Sequence, residues 1–305
     1  MTQIAEEIID AVDKDIIEKE LTADKLLRHT KSGSNELYIV DYHNSPNIMR
    51  EIGRLRELSF RNAGGGTGKS IDIDQSDIVS EGYKQLIVWN PAEKDILGGY
   101  RYIVSKSTDT KYLSTEHYFK FSDKFRAEYL PYMIELGRSF VQPKYQGHNG
   151  NPKGIFALDN LWEGIGAIAA QNKHIKYFFG KVTMYIEYNA DARNELIYFL
   201  RTYFADTENL TTPLFPKEIT YDNDKMANIY NAGSYSEDYK ILVKRVREYG
   251  EVVPPLINAY MKLSPSLKVF DTVCNPDFGN VEETGILVTI NDLYSEKYNR
   301  YISNK

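Results

Sequence analysis

The 305-residue sequence contains a single cysteine, Cys274, which excludes an intramolecular disulfide and is typical of a protein from a reducing compartment. It has no run of 18 or more apolar residues, which excludes a membrane-spanning helix. Its N-terminus lacks the basic and apolar segments of a signal peptide. Asp and Glu (43) outnumber Lys and Arg (37), so the broad positive field that binds duplex nucleic acid is absent. We therefore expect a cytoplasmic protein that does not bind nucleic acid.

The composition is that of an ordinary globular protein, with 42% hydrophobic and 26% charged residues. Isoleucine and valine recur at helical spacing between Ile4 and Ile17, opposite an acidic face, and predict an amphipathic helix. Anionic lipid would repel that face, so docking on the protein is favoured. We expect residues 1–30 to form a helical extension and residues 31–305 to form one domain. A helical insertion is predicted at about 209–262, before the last two strands.

Strand and helix patterns alternate along the rest of the chain. Short apolar segments predict strands at 37–41, 85–89, 96–104, 132–141, 177–185, 268–274 and 285–289. Apolar residues at helical spacing predict helices at 48–60, 156–171 and 190–204, and a helix-turn region at 115–125. This order predicts an α/β (α+β) fold with a mixed, mostly antiparallel central sheet and helices on both faces.

A glycine-rich segment, Ala63-Gly-Gly-Gly-Thr-Gly-Lys-Ser70, matches a relaxed P-loop pattern. A P-loop needs a preceding strand and a following helix. Here a helix precedes the segment, and three aspartates follow it and would repel a nucleotide. The sequence therefore favours a flexible loop at the mouth of a site over a nucleotide site.

The strand at 132–141 contains Glu135 and Arg138, which strict alternation would place on opposite faces. A bulge near Gly137 would bring both to one face and leave backbone N–H groups unpaired, where they could polarise an acyl carbonyl. A plain surface ion pair explains the two charges equally well when the strand is taken alone. The glycine-bearing loop and helix that follow favour a phosphate or phosphopantetheine site.

Several of these segments, in this order, resemble the GNAT superfamily. The similarity is to the branch that contains acyl-homoserine-lactone synthases and the N-acyltransferases of ornithine- and glycine-lipid synthesis, whose members are often labelled hemolysins. The motifs are Arg56-x-x-x-Phe60, Asp74-x-x-Asp77, Arg101 in Gly-Gly-Tyr-Arg-Tyr, Glu135-x-x-Arg138, Tyr188-Asn-Ala-Asp-Ala-Arg, Pro254-Pro-Leu-Ile-x-x-Tyr260 and Asn275-Pro-Asp-Phe-Gly.

The resemblance implies transfer of a long acyl group, often 3-hydroxyacyl, from an acyl carrier protein thioester to the α-amine of an amino acid, giving a lyso-aminolipid. Since an ammonium cannot attack, a base must take its proton, and Glu135 is the candidate. Arg138 or Arg101 would hold the acceptor carboxylate. The acceptor pocket or its lid would be shaped by Arg56, Phe60, Asp74 and Asp77.

The donor site implied by the resemblance follows the strand. N–H groups near Phe140 and Val141 would stabilise the oxyanion, and the loop residues Lys144, Gln146, Gly147 and Gly150 would hold the donor. Gln146-Gly-His-Asn-Gly150 is a loosened form of the GNAT pyrophosphate signature. Acyl carrier protein lacks the adenosine diphosphate of coenzyme A, so the loosened loop favours the carrier protein as donor. No permanently bound cofactor and no metal are expected.

Two further interpretations concern the donor's surroundings. A basic patch for the acidic carrier protein is predicted from Lys144, Lys153, Lys173 and Lys176, although scattered solubilising lysines would give the same pattern. An acyl groove is predicted from Trp162, Phe178 and Phe179, although core packing explains these aromatic residues equally well. A lipid product would also bring the protein to the inner face of the membrane as a peripheral contact.

Three alternatives stay open at this point. The first is an acetyl-CoA-dependent GNAT enzyme that acetylates a small amine. The second is a non-catalytic GNAT-fold binding protein, which an exposed and unpaired Glu135 would favour. The third is a membrane-acting hemolysin, although neither a hydrophobic hairpin nor a cationic amphipathic helix supports it.

Overall fold

The computed structural model describes residues 5–105, 113–146 and 156–303. These residues form a large twisted sheet with helices on both faces, and a two-stranded sheet beside it. The strands are β1 (Leu26–His29), β2 (Glu36–Val40), β3 (Lys84–Asn90), β4 (Asp95–Val104), β5 (Phe119–Phe121), β6 (Met133–Val141), β7 (Tyr177–Met184), β8 (Thr211–Pro213), β9 (Lys268–Asn275) and β10 (Val281–Thr289). The α-helices are α1 (Lys14–Glu20), α2 (Pro46–Asn62), α3 (Gln75–Ile78), α4 (Ala157–Gln171), α5 (Ala190–Phe204), α6 (Asn223–Ile229), α7 (Tyr235–Glu248), α8 (Pro255–Met261) and α9 (Ser295–Tyr301).

The large sheet has the strand order β1-β2-β3-β4-β6-β7-β10-β9. Its pairs are antiparallel apart from β6 and β7, which run parallel. A mixed, mostly antiparallel sheet with helices on both faces is therefore confirmed. The parallel pair lies near the middle of the sheet, where α4 connects its two strands.

The two faces of the sheet are covered by different helices. On one face, α4 and α5 bury an apolar stripe that includes Leu161, Ile165 and Leu196. On the other face, α2 packs Ile52 and Leu55 against the strands. Opposite residues of paired strands point to the same face, so the register assigns each strand side chain to the α2 face or to the α4 face.

The N-terminal segment departs from its predicted helix. Of residues 5–25, only α1 is α-helical; residues 5–13 are not, and β1 is an edge strand of the large sheet. The amides of Glu6 and Ile9 donate to the carbonyls of Gly68 (2.8 Å) and Ser70 (3.2 Å). These contacts replace helical hydrogen bonds, and a short isolated helix has little stability of its own.

The segment between α5 and β9 contains α6, α7 and α8, in agreement with a helical insertion. It also contains β8, which pairs with β5 in the small sheet; neither of these strands is predicted from the sequence. The division into an extension at 1–30 and a domain at 31–305 stays a prediction. Within the described ranges, the helices are too short or too polar to cross a bilayer.

Candidate active site

The two parallel strands β6 and β7 separate halfway along their length. They pair from Met133 and Tyr177 as far as Leu136 and Gly180. Beyond that point β6 continues beside β4, and β7 continues beside β10. A wedge therefore opens in the middle of the sheet, between residues that follow Leu136 and residues that follow Gly180.

A β-bulge lies at the start of this wedge. Gly99 pairs with Phe140 and Arg101 with Gly137, so two residues of β6, Arg138 and Ser139, lie opposite one residue of β4. Arg138 adopts a left-handed φ of 48°, which is uncommon for a residue other than glycine. The predicted bulge near Gly137 is thus present.

The bulge turns the Arg138 side chain to the α2 face. There its guanidinium lies 4.4 Å from the centre of the Phe278 ring, and its Nε lies 2.9 Å from a carboxylate oxygen of Asp72. These two contacts hold the guanidinium on the same face as Glu135, as the bulge prediction required.

A cavity of about 560 Å³ occupies the wedge and reaches both faces of the sheet. On the α2 face its lining combines charged and polar residues with apolar ones; the former are Arg101, Ser114, Arg138, Lys181, Thr183, Tyr185 and Glu283, and the latter are Phe60, Ala63, Phe140 and Phe278. On the α4 face its lining is mainly apolar and includes Tyr100, Leu136, Val141, Leu158, Pro254, Pro255, Leu256 and Tyr260. A ligand with a charged end and an apolar end would fit this division.

Besides Arg138 at the bulge, four neighbouring strands each place one charged residue on the α2 face. Register aligns Ile103 with Glu135, Glu135 with Phe179, and Thr183 with Glu283. Since alternate residues of a strand share a face, the charges alternate in sign across the sheet in the order Arg101, Glu135, Lys181, Glu283. Three of the four line the cavity, the exception being Glu135.

Lys181 and Glu283, which we call the strand pair, are in direct contact. The Lys181 ammonium donates to a Glu283 carboxylate oxygen and lies 4.6 Å from the centre of the Tyr118 ring. Their side chains are 10% and 3% exposed. Burial lowers the pKa of Lys181, and the Glu283 charge opposes this effect. Neither residue is predicted from the sequence, although a charged residue within an apolar strand is a detectable signal.

The predicted acceptor residues form a second cluster, the loop network, made of Arg56, Asp74, Asp77, Gln85 and Arg101. Arg56 and Asp77 are fully buried, and Nη1 of Arg56 lies 3.2 Å from Asp77. Arg56 also donates to Gln85, and Gln85 donates to Asp77 (2.9 Å). Arg101 donates to Asp74 at 2.6 Å. The structure therefore brings all of these residues together.

The members of the loop network differ in what they can reach. Arg101 lines the cavity, whereas Arg56, Asp74 and Asp77 are not part of its lining. Asp74 and Asp77 cap α3 reciprocally, each side chain accepting from the other's amide. Although burial alone would raise it, the pKa of Asp74 lies well below its usual range because of the Arg101 charge and hydrogen bond. Phe60, at the end of α2, lines the cavity beside Phe278.

Glu135 is fully buried, and its contacts separate it from the cavity. Ser114 Oγ donates to its carboxylate at 2.7 Å and the Thr115 amide donates at 3.1 Å. Burial raises the pKa of Glu135, and the Ser114 hydrogen bond partly offsets this. Ser114 itself lines the cavity. Glu135 therefore faces the cavity through the Ser114 hydroxyl.

The predicted donor residues are placed only in part. Phe140 and Val141 line the cavity, and so does Gln146, whose side-chain amide donates to the Val141 carbonyl at 2.7 Å. Gly147 and Gly150 lie outside the described residues, as does Lys153. Lys144 forms an ion pair with Asp95 at 2.9 Å.

Of the two predictions about the donor's surroundings, the acyl groove is wrong, and the basic patch loses Lys173 and Lys176. Lys173 and Lys176 follow the C-terminal end of α4, about 20 Å along the helix from its N-terminal end near the cavity. Trp162, Phe178 and Phe179 are at most 4% exposed and belong to the hydrophobic cores, so they pack the interior and are not part of the cavity lining.

The glycine-rich loop after α2 holds an anion that the chain itself supplies. The amides of Thr67 and Gly68 donate to the Glu57 carboxylate at 3.1 and 2.8 Å, and the Thr67 hydroxyl donates at 2.8 Å. Arg61 completes the arrangement with an ion pair to Glu57 at 2.7 Å. These contacts support the rejection of a nucleotide site, and they hold in place a loop that the sequence predicts to be flexible.

Comparisons with known proteins agree with this architecture. Residues 55–151 match the acetyltransferase (GNAT) domain family. A glycine N(alpha)-acyltransferase of Phocaeicola vulgatus is 49% identical over 304 residues, covering 98% of this chain and 93% of the relative. A glycine N(alpha)-acyltransferase of Bacteroides thetaiotaomicron is also 49% identical over 304 residues, with coverages of 97% and 90%.

Among solved structures, FeeM, an N-acyl amino acid synthase from uncultured soil microbes, is 14% identical and aligns with a TM-score of 0.32. That alignment covers 54% of this chain and 76% of FeeM, a similarity too low to carry an argument. The identity to the two acyltransferases extends over nearly the whole chain, and the wedge between β6 and β7 lies inside it. The chain belongs to the GNAT acyltransferase family that includes these glycine N(alpha)-acyltransferases.

Proposed function

We propose that this protein transfers a long acyl chain, often 3-hydroxylated, from an acyl carrier protein thioester to the α-amine of glycine. The product is an N-acylglycine, a lyso-aminolipid. One observation carries the proposal: a single cavity crosses the sheet, with three cations and one carboxylate on one face and an apolar lining on the other. A zwitterionic acceptor suits the first face, and an acyl donor suits the second.

The acceptor's carboxylate is the substrate group that the cations suit best. Arg138 uses its Nε for Asp72, and its Nη2 lies as far as 4.0 Å from Asp74. An Arg guanidinium binds a carboxylate through two parallel hydrogen bonds, which fixes the direction of the acceptor. Arg101 adds positive charge from the neighbouring strand. Glycine is the proposed acceptor because the two relatives are named for it.

The thioester carbonyl would lie in the wedge against β6. The Gln142 amide donates to the Leu97 carbonyl of β4 (3.0 Å). Since alternate amides of a strand point to the same side, the Phe140 amide also faces β4, and the Val141 amide faces the wedge. Val141 is therefore the proposed oxyanion donor, and Phe140 contributes its ring to the wall.

The apolar half of the cavity contains one polar spot. The hydroxyl of Tyr100 lies beside the hydroxyls of Ser139 and Tyr260, and burial raises the pKa of both tyrosines. Among the described residues, the buried Tyr100 hydroxyl has no hydrogen bond of good geometry. A saturated chain would leave it so, at a cost of about 1–3 kcal/mol, whereas a chain that carries a hydroxyl could bond to it, which supports a 3-hydroxyacyl donor.

The carrier of the acyl chain is proposed to be acyl carrier protein. The support is the loosened Gln146-Gly-His-Asn-Gly150 sequence, which gives coenzyme A a poorer diphosphate site than the usual GNAT loop. No permanently bound cofactor is needed, because the thioester supplies the activated acyl group.

We assign Glu135 a role through Ser114 and not by direct contact with the acceptor. A proton that reaches the Ser114 hydroxyl can be passed to Glu135, whose raised pKa makes it a better proton acceptor than an exposed carboxylate. Arg56, Asp74 and Asp77 would act as positioning residues, since they fix Arg101 beside the cavity.

We also propose that the enzyme acts in the cytoplasm, at the inner face of the membrane, because its proposed product is a lipid. Ile186 and Val252 are 60% and 59% exposed, and each is close in sequence to a cavity residue, Tyr185 or Pro254. The Tyr188 hydroxyl donates to the Val252 carbonyl at 2.9 Å, so the two segments lie together. An exposed apolar rim is a suitable contact for a bilayer that receives a lipid product.

The test is lipid mass spectrometry of a heterologous host that expresses the protein, together with assays of the purified enzyme. We expect new N-acylglycines, their loss in Arg138→Ala, and their retention in Arg201→Ala, which removes a surface arginine. Purified enzyme should use 3-hydroxyhexadecanoyl-acyl carrier protein in preference to the same acyl group on coenzyme A. Unchanged lipids combined with acetyl-CoA turnover on small amines would contradict the proposal.

A further inference from the structure

We propose that Glu283 binds the ammonium of the acceptor and takes its proton, and that Lys181 positions Glu283 for this step. The assignment rests on the proposed function, because it concerns the acceptor of that reaction. It identifies a catalytic carboxylate on β10, a strand that the GNAT-domain match to residues 55–151 does not reach.

The signs of the charges that line the cavity support this assignment. A zwitterion needs a cation for its carboxylate and an anion for its ammonium. Among the described residues that line the cavity, Arg101, Arg138 and Lys181 are cations, and Glu283 is the one carboxylate. Glu135 is separated from the cavity by Ser114, so Glu283 is the carboxylate that an ammonium can touch.

The free-energy cost of burying the strand pair also supports the assignment. Removing a carboxylate and an ammonium from water is expensive, and well-packed apolar residues often serve stability as well or better. The strand pair is nevertheless buried, lies in central strands and faces a cavity. A buried charge that contacts a cavity is suited to a ligand of opposite charge.

The groups around Glu283 hold it at the cavity. Lys181 contacts it from β7, and Tyr118 lies on the other side of the Lys181 ammonium. The Glu283 charge raises the pKa of Tyr118 and that of Tyr185, to about 12 for the latter, although burial contributes more in both cases. Arg138 and Arg101 lie close enough to lower the pKa of Lys181. Lys181 and the two phenols therefore surround Glu283, and the Lys181 hydrogen bond holds its carboxylate beside the cavity.

The reaction then balances as follows. The Glu283 carboxylate takes one proton from the α-ammonium and leaves a neutral amine. The nitrogen lone pair attacks the thioester carbon, the C–N bond forms, and collapse of the tetrahedral intermediate breaks the C–S bond. The second nitrogen proton goes to the departing thiolate, and Glu283 releases its own proton to solvent. The products are the amide, the thiol and one proton.

The test compares two acceptors in the purified enzyme, with 3-hydroxyhexadecanoyl-acyl carrier protein as donor. Glycine requires deprotonation at neutral pH, whereas the nitrogen of aminooxyacetate is already unprotonated. In Glu283→Gln we expect kcat/KM for glycine to fall at least 100-fold at pH 7.5. For aminooxyacetate, after subtraction of the uncatalysed rate, the fall should be tenfold or less. A merely structural role would lower both values equally.

The matched control is Glu282→Gln. Glu282 is the preceding residue of the same strand, points to the opposite face, and pairs with Arg193 at 2.5 Å. This variant should retain wild-type kcat/KM with both acceptors. A Glu283→Gln enzyme that keeps the activity of Glu282→Gln would overturn the assignment and leave the proposed function intact.

A wild-type measurement covers the case in which Glu283→Gln does not fold. As the pH falls, kcat/KM for glycine should decline, because the enzyme must deprotonate more of the acceptor, whereas kcat/KM for aminooxyacetate should stay flat over the same range. Parallel profiles for the two acceptors would overturn the assignment. A wild-type enzyme that acylates neither acceptor would overturn the proposed function, and this assignment with it.

Discussion

Two clusters of buried charged residues on the α2 face, the loop network and the strand pair, differ in whether they contact the cavity. In the loop network, Arg56 and Asp77 bond to each other and to Gln85, away from the cavity. In the strand pair, Lys181 and Glu283 bond to each other and also line the cavity. Residues of both clusters are buried and ion-paired, so burial and pairing do not by themselves identify a functional group. Contact with the cavity does identify one.

The largest expected effect falls on the loop network. Asp77→Ala leaves the buried Arg56 guanidinium without its carboxylate, which should lower the free energy of unfolding by about 3–5 kcal/mol in urea titrations. Asp271→Ala, which removes an exposed pair with Arg201, should cost less than about 1 kcal/mol. A loss no larger than that of Asp271→Ala would contradict the contrast between buried and exposed pairs.

A smaller loss of stability is expected from the glycine-rich loop. Glu57→Ala leaves the amides of Thr67 and Gly68 without their acceptor, and should cost about 2–3 kcal/mol of unfolding free energy. Glu237→Ala, on an exposed pair with Lys240, is the control and should change stability by less than about 0.5 kcal/mol. Equal losses in the two variants would mean that Glu57 does not hold the loop.

Arg138 belongs to the side of the comparison that faces the cavity. Arg138→Lys keeps the charge but loses the two-point contact, so kcat/KM for glycine should fall by about 2 kcal/mol, roughly 30-fold. Glycinamide, which lacks the carboxylate, should be affected much less. Losses of similar size for the two acceptors would show that Arg138 maintains the bulge and does not bind the carboxylate.

The smallest expected effect is the pH dependence of stability that Glu135 contributes, and its sign follows from the direction of the pKa shift. A carboxyl group whose pKa is raised by burial contributes stability below its ordinary value of 4.5, and that stability is lost as the pH rises through the raised value. Glu135→Gln removes this dependence. The variant's free energy of unfolding relative to wild type should therefore increase between pH 4 and pH 8, by about 1.4 kcal/mol for each unit by which the pKa is raised. A constant difference would contradict the assignment of a raised pKa.

Local patterns predicted much of the fold. The short apolar segments of β3 and β4, and the apolar stripes of α2, α4 and α5, predicted element type and nearly the right ends, and Gly137 indicated the bulge. The predicted N-terminal helix is present at α1 and wrong for residues 5–13, because Glu6 and Ile9 bond to a loop distant in sequence, which no local spacing records. The short strands β1 and β5 lack a periodic pattern long enough to detect.

Site residues that belong to a sequence motif were predictable. Site residues that come together only through strand pairing were not. Arg101 and Arg138 belong to motifs, and both line the cavity. Lys181 and Glu283 lie about a hundred residues apart and meet only because β7 pairs with β10. Trp162 and Phe179 misled because an aromatic residue in a core and one in a groove have the same sequence pattern. The visible signal was a Lys inside Tyr-Phe-Phe-Gly-Lys-Val-Thr-Met, a strand that otherwise reads as apolar.

The cavity that crosses the sheet has a consequence for product release. In the proposed function, the two substrates approach from opposite faces, and the amide would join them into one molecule that extends through the wedge. Whichever way that molecule leaves, one of its ends must be drawn between the diverging strands β6 and β7, past Leu136 and Gly180. Single-turnover and steady-state rates with glycine and a larger amino acid would separate chemistry from this step. We expect the larger amino acid to be slowed most after the bond has formed, so that the sheet selects its acceptor at the exit as well as at the site of reaction.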